Sequence, residues 1–255
     1  MNTTDVLLRF TDRVENYAKY RPTYPEEILD LLQRNIGVHS AHVVADIGSG
    51  TGISSELFLR NGNRVLGVEP NDAMRAAAED ALARYDGFHS VKGTAEATTL
   101  EDMSVDVIVA GQAFHWFDCQ RAKREFERIA KPNAHLALMW NDRAAGSRFM
   151  LAYEEFVRRF ATDYERVNHK NISDDVIRQF YQPAQMNKAV IQNQQTFDFE
   201  GLKGRNLSAS YMPSEKHPTF GAMSEALWEM FELFQKDGVV RFDLETRLYW
   251  GMIAA

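Results

Sequence analysis

The stretch Val43-Val44-Ala45-Asp46-Ile47-Gly48-Ser49-Gly50-Thr51-Gly52 constrains the fold more than any other part of the chain. A strand-length apolar run enters it, glycines at alternate positions cross it, and a helical period leaves it. Glycine takes positive φ without strain and lets a ligand approach the backbone. A strand, a glycine turn and a helix in that order open a crossover unit, whose helix packs back onto a parallel sheet.

The first half repeats this rhythm. The spacing predicts a helix over Pro25 to Ile36, with Ile28, Leu31, Leu32 and Ile36 on one face. It predicts a strand over His42 to Ile47 and a helix over Ile53 to Arg60, stopped near Asn61-Gly62. A second strand runs from Arg64 to Val68 and ends at Glu69-Pro70. Met74, Ala77, Ala78, Ala81, Leu82 and Tyr85 mark the next helix. Phe88 to Lys92 reads as a weak strand and Val105 to Ala110 as a strong one of buried, parallel type. Ala122, Phe126, Ile129 and Ala130 mark a helix closed by Lys131-Pro132, and His135 to Trp140 is a fifth strand.

The rhythm then breaks. Helices are predicted over Arg148 to Phe160, Ser173 to Tyr181 and Met223 to Phe234. Lys188 to Phe199 reads as a strand, with Phe197 and Phe199 alternating at its end, and a last run leads from Gly238 to Ile253. No repeat and no clear linker interrupts the chain. The expectation is a single domain over residues 1–255, with 1–142 as one half and 143–255 as a helical insertion plus the final strands.

Bulk composition narrows the function. A net charge of −7 argues against a nucleic-acid binder, which calls for a basic face. The single cysteine, Cys119, forms no internal disulfide and fits a reducing compartment. Met1 to Phe10 carries Asp5 and Arg9 and does not read as a signal peptide, and no stretch approaches the roughly 20 apolar residues of a membrane span. The histidines show no metal-ligand spacing, so no metal is expected. The expectation is a soluble, cytoplasmic chain, monomer or homodimer.

The glycine loop points to a ligand class. Backbone N–H groups at a helix start hold polar ligand atoms. Glu69 ends the next strand, where a carboxylate accepts hydrogen bonds from both hydroxyls of a ribose. A dinucleotide fold wants G-x-G-x-x-G, whereas Gly48, Gly50 and Gly52 are spaced G-x-G-x-G. Asp46, just before the first glycine, would repel a pyrophosphate but suits an ammonium or sulfonium group. The spacing therefore favours S-adenosylmethionine over NAD.

Ala45 to Gly52 resembles the first motif of class I methyltransferases. The likeness continues through Gly67-Val68-Glu69-Pro70-Asn71, Gly93-Thr94-Ala95-Glu96 and Ala113-Phe114-His115-Trp116-Phe117. Tyr17-Ala18-Lys19-Tyr20-Arg21-Pro22-Thr23-Tyr24-Pro25 is similar to small-molecule methyltransferases related to trans-aconitate methyltransferase. The resemblance implies an α/β, Rossmann-like, seven-stranded and mostly parallel sheet. Helices would cover both faces, the last strands would form an antiparallel edge, and a helical cap would be inserted. It implies S-adenosylmethionine as cofactor, S-adenosylhomocysteine as product and a small-molecule acceptor, with a lean toward a carboxylate.

By the same resemblance, Gly48, Ser49, Gly50, Thr51 and Gly52 would pass under the methionine end of the cofactor, and Asp46 would contact that end. Glu69 would bind the ribose, with Pro70 and Asn71 beside the adenine and Ala95 and Glu96 at its edge. Gln112 and Ala113 would lie near the sulfonium. Tyr20 and Arg21 would close over the cofactor, Arg21 being suited to its carboxylate. Phe114, His115 and Trp116 would face the acceptor. His115 is a candidate base, for which a packed or lid-contacting histidine is the simpler account. Arg143, Arg148, Arg158 and Arg159 suit an acidic acceptor or a solvated helix face. A methyltransferase-like regulator or scaffold and an NAD(P)-dependent oxidoreductase are the alternatives.

Overall fold

The computed structural model describes residues 13–162, 164 and 173–253. The leader expectation for Met1 to Phe10 lies outside these residues. The elements follow in the order α1 (Val14–Tyr20), α2 (Glu27–Ile36), β1 (Val43–Ile47), α3 (Ile53–Arg60), β2 (Arg64–Val68), α4 (Asp72–Ala81), β3 (Phe88–Val91) and β4 (Val105–Gly111). After them come a 3-10 turn (Phe114–Trp116), α5 (Cys119–Ile129), β5 (Ala130–Arg143), α6 (Arg148–Phe160), α7 (Asp174–Tyr181), β6 (Asn187–Phe197), α8 (Phe199–Leu207), α9 (Phe220–Phe234) and β7 (Val240–Met252).

The seven strands form one sheet in the order β3-β2-β1-β4-β5-β7-β6. The first five pair parallel, and β7 runs antiparallel to both β5 and β6. Side chains alternate across the sheet with period two. Ile108, Ala110, Leu136, Leu138 and Trp140 enter the core on one face with Phe126 and Phe180. Val107, Val109, Ala137 and Met139 enter the other with Ile28, Leu32 and Phe58. Burial on both faces explains why β1 and β4 read as continuous Val/Ile runs.

A third core lies outside this sandwich. It joins Phe149, Tyr153 and Phe156 of α6, Leu202 of α8, Leu227 and Phe231 of α9, and Val240, Phe242 and Leu244 from the first half of β7. The 14-residue β5 and 13-residue β7 stay paired as far as Arg143 and Leu244, so these two strands carry the helical cap beyond the parallel strands.

The structure corrects one sequence expectation here. Phe199 does not continue β6 but opens helix α8, because Asp198 accepts a hydrogen bond from the Gly201 N–H at 2.7 Å and caps a new helix. Helix α1 docks on α8. A Cβ at Gly204 would lie 2.0 Å from the Tyr20 ring, so only glycine admits that approach. Arg13 donates to the carbonyls of Leu207, Ala209 and Met212, and Arg21 to that of Ser208. These carbonyls lie at and just beyond the α8 C-terminus, where unpaired acceptors and the helix dipole favour cations.

Gly204→Ala is expected to destabilise the protein by about 1–3 kcal/mol through this overpacking, even though alanine is the better helix former. Gly221→Ala, where an added Cβ meets nothing within 4 Å, is expected to be neutral or to stabilise by up to about 1 kcal/mol. Chemical denaturation of the two variants beside wild type reads the difference.

Candidate functional site

The site forms at the carboxyl ends of β1, β2, β4 and β5, where open α/β sheets place ligands. Register makes the loop after β1. Ile47 pairs with Val68, and the Val68 carbonyl accepts from both Gly48 N–H (2.8 Å) and Ser49 N–H (3.2 Å). Gly48 has φ of 70°, and a Cβ there would sit 2.7 Å from the Ala113 methyl. Gly50 has φ of 55° and open space where its Cβ would point. Gly52 begins α3 and turns toward Leu82, away from the loop's open side.

Glu69 holds the loop from the next strand. One carboxylate oxygen accepts the Gly50 N–H at 3.0 Å and the other the Asn71 N–H at 2.9 Å. Burial pushes its pKa up, and these two N–H donors oppose the rise. Lone pairs remain on both oxygens for further donors. Asn71 is the N-cap of α4, accepting from the N–H groups of Ala73 and Met74.

Asp46 is fully buried. Its Oδ2 accepts from Ser54 at 2.7 Å and Ser55 at 2.6 Å, while its Oδ1 has no partner. Burial raises its pKa to about 6 against the pull of the two serines. A buried carboxylate with one orphaned oxygen is a place for a cation.

The cleft above the loop is lined by Gly48 to Thr51, by Ile53 and Ser54 of α3, by Gly111 and Gln112 after β4, and by Asn141 of β5. The N-terminal segment adds Tyr17, Arg21, Pro22 and Tyr24, and α8 adds Arg205. Gln112 holds a φ of 56°, rare for a non-glycine residue, and donates from Nε2 to the Asn141 carbonyl at 2.9 Å.

Several expected site residues lie elsewhere. Tyr20 packs on Gly204 and does not line the cleft. Phe114 is fully buried among Phe117, Trp140 and Phe180, so it is core and not acceptor wall. His115 and Trp116 stack on each other at 4.6 Å and are not among the residues lining the cleft. Ala95 is buried in the sheet core, and Glu96 accepts the Asp118 N–H at 2.9 Å, tying the loop after β3 to the start of α5. Pro70 and Ala113 flank the loop at the ends of β2 and β4 without lining the cleft. Of the arginines read as acceptor candidates, Arg143 pairs with Glu154 at 2.7 Å.

Sequence reasoning missed Ser54, Gly111, Asn141 and Arg205. Asn141 carries a usable signal, since it ends a parallel strand on the ligand side of the sheet. Arg205 carries none.

Residues 45–138 match the family described as methyltransferase domain. An uncharacterised methyltransferase of Mycobacterium tuberculosis is 36% identical over 143 residues, covering 54% of this chain and 54% of its own length. One from Schizosaccharomyces pombe is 31% identical over 135 residues, covering 52% and 53%. The chain thus spans about half the length of the curated relatives it matches. Among solved structures, the Bacillus subtilis YcgJ protein superposes with a TM-score of 0.57 at 17% identity, covering 91% of this chain and all of that one. A protein of Anaeromyxobacter dehalogenans assigned as a type II methyltransferase gives 0.63 at 21%, covering 92% and 99%. At these identities the superpositions speak for the fold.

The buried Asp46 has a direct consequence for stability. Its folded pKa lies above its unfolded value, so stability is lost as pH rises from about 4 through about 6. Asp46→Asn is expected to match wild type near pH 4 and to exceed it by at most about 3 kcal/mol near pH 8, in the absence of ligand. Paired urea titrations across that range check the sign.

Proposed function

We propose, from the match of residues 45–138 to a methyltransferase domain and from the cleft described above, that this chain is a class I S-adenosylmethionine-dependent methyltransferase that transfers a methyl group to a small-molecule acceptor, a carboxylate by the N-terminal resemblance. The observation that carries this reading is the Gly48–Thr51 loop that lines the cleft, with the Glu69 carboxylate bound to its Gly50 N–H and Asp46, one oxygen unpartnered, buried at the end of the strand that leads into it. The donor set fits the cofactor. Asp46 suits an ammonium, Arg21 a carboxylate, Glu69 a ribose diol, and the glycine backbone leaves room for the chain between them. When bound, S-adenosylmethionine supplies an electrophilic methyl group on a leaving group that needs no activation.

The protein's own residues then have modest chemical tasks. They hold donor and acceptor in line and keep water out. Tyr17, Arg21 and Pro22 line the cleft, and the Tyr24 hydroxyl lies 2.7 Å from where a Cβ at Gly111 would fall. An ionised carboxylate acceptor requires no general base, which agrees with the absence of His115 from the cleft wall. In this reading residues 1–142 hold the cofactor and 143–255 the acceptor. The enzyme works in the cytoplasm as a monomer or homodimer, without nucleic acid. Among the described residues no helix is long and apolar enough to cross a membrane. The oxidoreductase and scaffold alternatives draw no support from the family match.

Thermal unfolding with S-adenosylmethionine, S-adenosylhomocysteine, NAD and NADP tests the proposal. Either adenosyl ligand at about 100 times its Kd is expected to stabilise the protein by about 2.7 kcal/mol, and the dinucleotides by nothing measurable. Glu69→Gln is expected to weaken adenosyl binding at least about tenfold, because the amide cannot accept from the loop N–H, Asn71 N–H and a ribose together. A shift with NAD or NADP alone overturns the reading.

Isothermal titration across pH isolates Asp46. Affinity for S-adenosylhomocysteine is expected to fall as pH drops through about 6, where the Asp46 carboxyl takes up its proton and no longer faces the ammonium as an anion. In Asp46→Asn that part of the pH dependence disappears. An unchanged profile in the variant means that Asp46 does not meet the ammonium.

A further inference from the structure

Arg205 is the least compensated charge among the described residues. It is 5% exposed, yet among the described residues no carboxylate pairs with it. Its Nη1 lies 3.4 Å from the Ser208 hydroxyl, its guanidinium sits 5.4 Å from the Phe242 ring centre, and its Nε has no partner. Arg21 lines the same cleft with its own Nε unpartnered. Arg143 adds a third guanidinium, but Glu154 answers that one.

The field of these cations is visible on their neighbours. Burial and then the Arg21 charge pull the Arg205 pKa down to about 10. Burial pushes Tyr211 up, but Arg143, Arg21 and Arg205 together outweigh it and leave the phenol more acidic than usual. An uncompensated buried guanidinium is costly and persists where an anion arrives to meet it.

Counting charges shows which anion is missing; the count rests on the methyltransferase reading above. The cofactor's methionine end brings one ammonium and one carboxylate. Asp46 answers the ammonium, and Arg21, at the end of α1, answers the carboxylate. The second guanidinium remains, together with the positive sulfonium. With the Glu69 carboxylate counted against the sulfonium, one negative charge is still wanted at the Arg205 guanidinium, and the acceptor is the component left to bring it. Arg205 is placed to receive it, since it stands on α8 in the cap and lines the cleft. We propose that Arg205 is the anchor for a carboxylate carried by the acceptor, which makes anionic small molecules the substrate class of this cleft.

The planar guanidinium matches a carboxylate in a two-point contact that an ammonium does not reproduce. Packing over Phe242 fixes its orientation, and burial excludes the water that would compete. The acceptor's charge thus does two things: it completes the electrostatics of the cap and selects against neutral analogues, which would leave Arg205 buried and alone.

The test uses the full chain saturated with S-adenosylhomocysteine and follows thermal unfolding with citrate, succinate and the neutral succinamide, at matched ionic strength. Citrate or succinate is expected to raise Tm by several degrees and succinamide to leave it unchanged. Arg205→Met is expected to lose the carboxylate response, to keep S-adenosylhomocysteine affinity within about threefold, and to melt higher than wild type without ligand, because an uncompensated charge has been removed. Arg205→Lys is expected to recover part of the response. A lower unliganded Tm for Arg205→Met with the carboxylate response intact would mean a structural arginine and overturn the proposal. Loss of S-adenosylhomocysteine affinity by tenfold or more in Arg205→Met would assign Arg205 to the cofactor's carboxylate and also overturn it. Wild type that binds S-adenosylhomocysteine but responds to no carboxylate overturns the anchor alone, whereas wild type that binds no S-adenosylhomocysteine overturns the methyltransferase reading with it.

Discussion

The cleft depends on one carboxylate that holds two backbone segments at once. Glu69 accepts from Gly50 in the loop after β1 and from Asn71 in the turn after β2, so two adjacent strand ends share a single clamp. Parallel pairing of β1 with β2 makes this possible, because Ile47 against Val68 brings Glu69 level with the glycines. The two bonds use part of the carboxylate and fix its plane. Its remaining lone pairs then face a direction set by the backbone, which is what preorganised recognition of a diol needs. The glycines supply the space, and Glu69 supplies the reason that the space keeps its shape.

Two buried charges of opposite sign complete the arrangement. Asp46, beneath the loop, is held by two serine hydroxyls on one oxygen only. Arg205, in the cap, is held by a hydroxyl and a ring. Each is costly in the unliganded protein, and they do not cancel, because no ion pair joins them. Their separation is a functional arrangement in itself. A ligand with one charge satisfies one pole, and in the proposed reading the zwitterionic cofactor and an anionic acceptor together satisfy both.

The sequence shows the sheet more clearly than the cap for a physical reason. Strands buried on both faces leave continuous apolar runs and helices buried on one face leave a period of 3.6, and β1, β4 and α6 are legible in this way. Helix α8 leaves no such period. Gly201, Leu202, Gly204, Arg205, Asn206 and Leu207 are all buried, so no polar face contrasts with an apolar one. Gly201 and Gly204 lower its propensity further, and Gly204 is there because Tyr20 packs against it. The Phe197–Phe199 alternation then reads as strand, although Asp198 between them is a helix cap. At the site, Gly48, Gly50 and Glu69 announce themselves by motif. Phe114 and His115 mislead, because a short aromatic turn at a strand end looks the same in sequence whether it faces the cleft or, as Phe114 does, the core. Asn141 and Arg205 meet the others only through folding, across more than sixty positions of sequence.

The cap's construction separates the part of the cleft it contributes from the glycine loop. Residues 45–138 contain the glycine loop, Glu69 and Gln112, whereas Asn141 and Arg205 lie beyond them. The cap has its own core, built on Phe149, Tyr153, Leu202 and Phe242, and it joins the sheet through the paired extensions of β5 and β7. Repacking that core moves Arg205 without disturbing the register that sets Glu69 against Gly50. The contacts of α1 are the exception, since Arg21 bonds to the Ser208 carbonyl at the end of α8 while lining the cleft. Helix α1 therefore couples the two halves. It brings the Arg21 cation to the cleft and takes its position from the end of α8, so a shift of α8 is felt at the cleft.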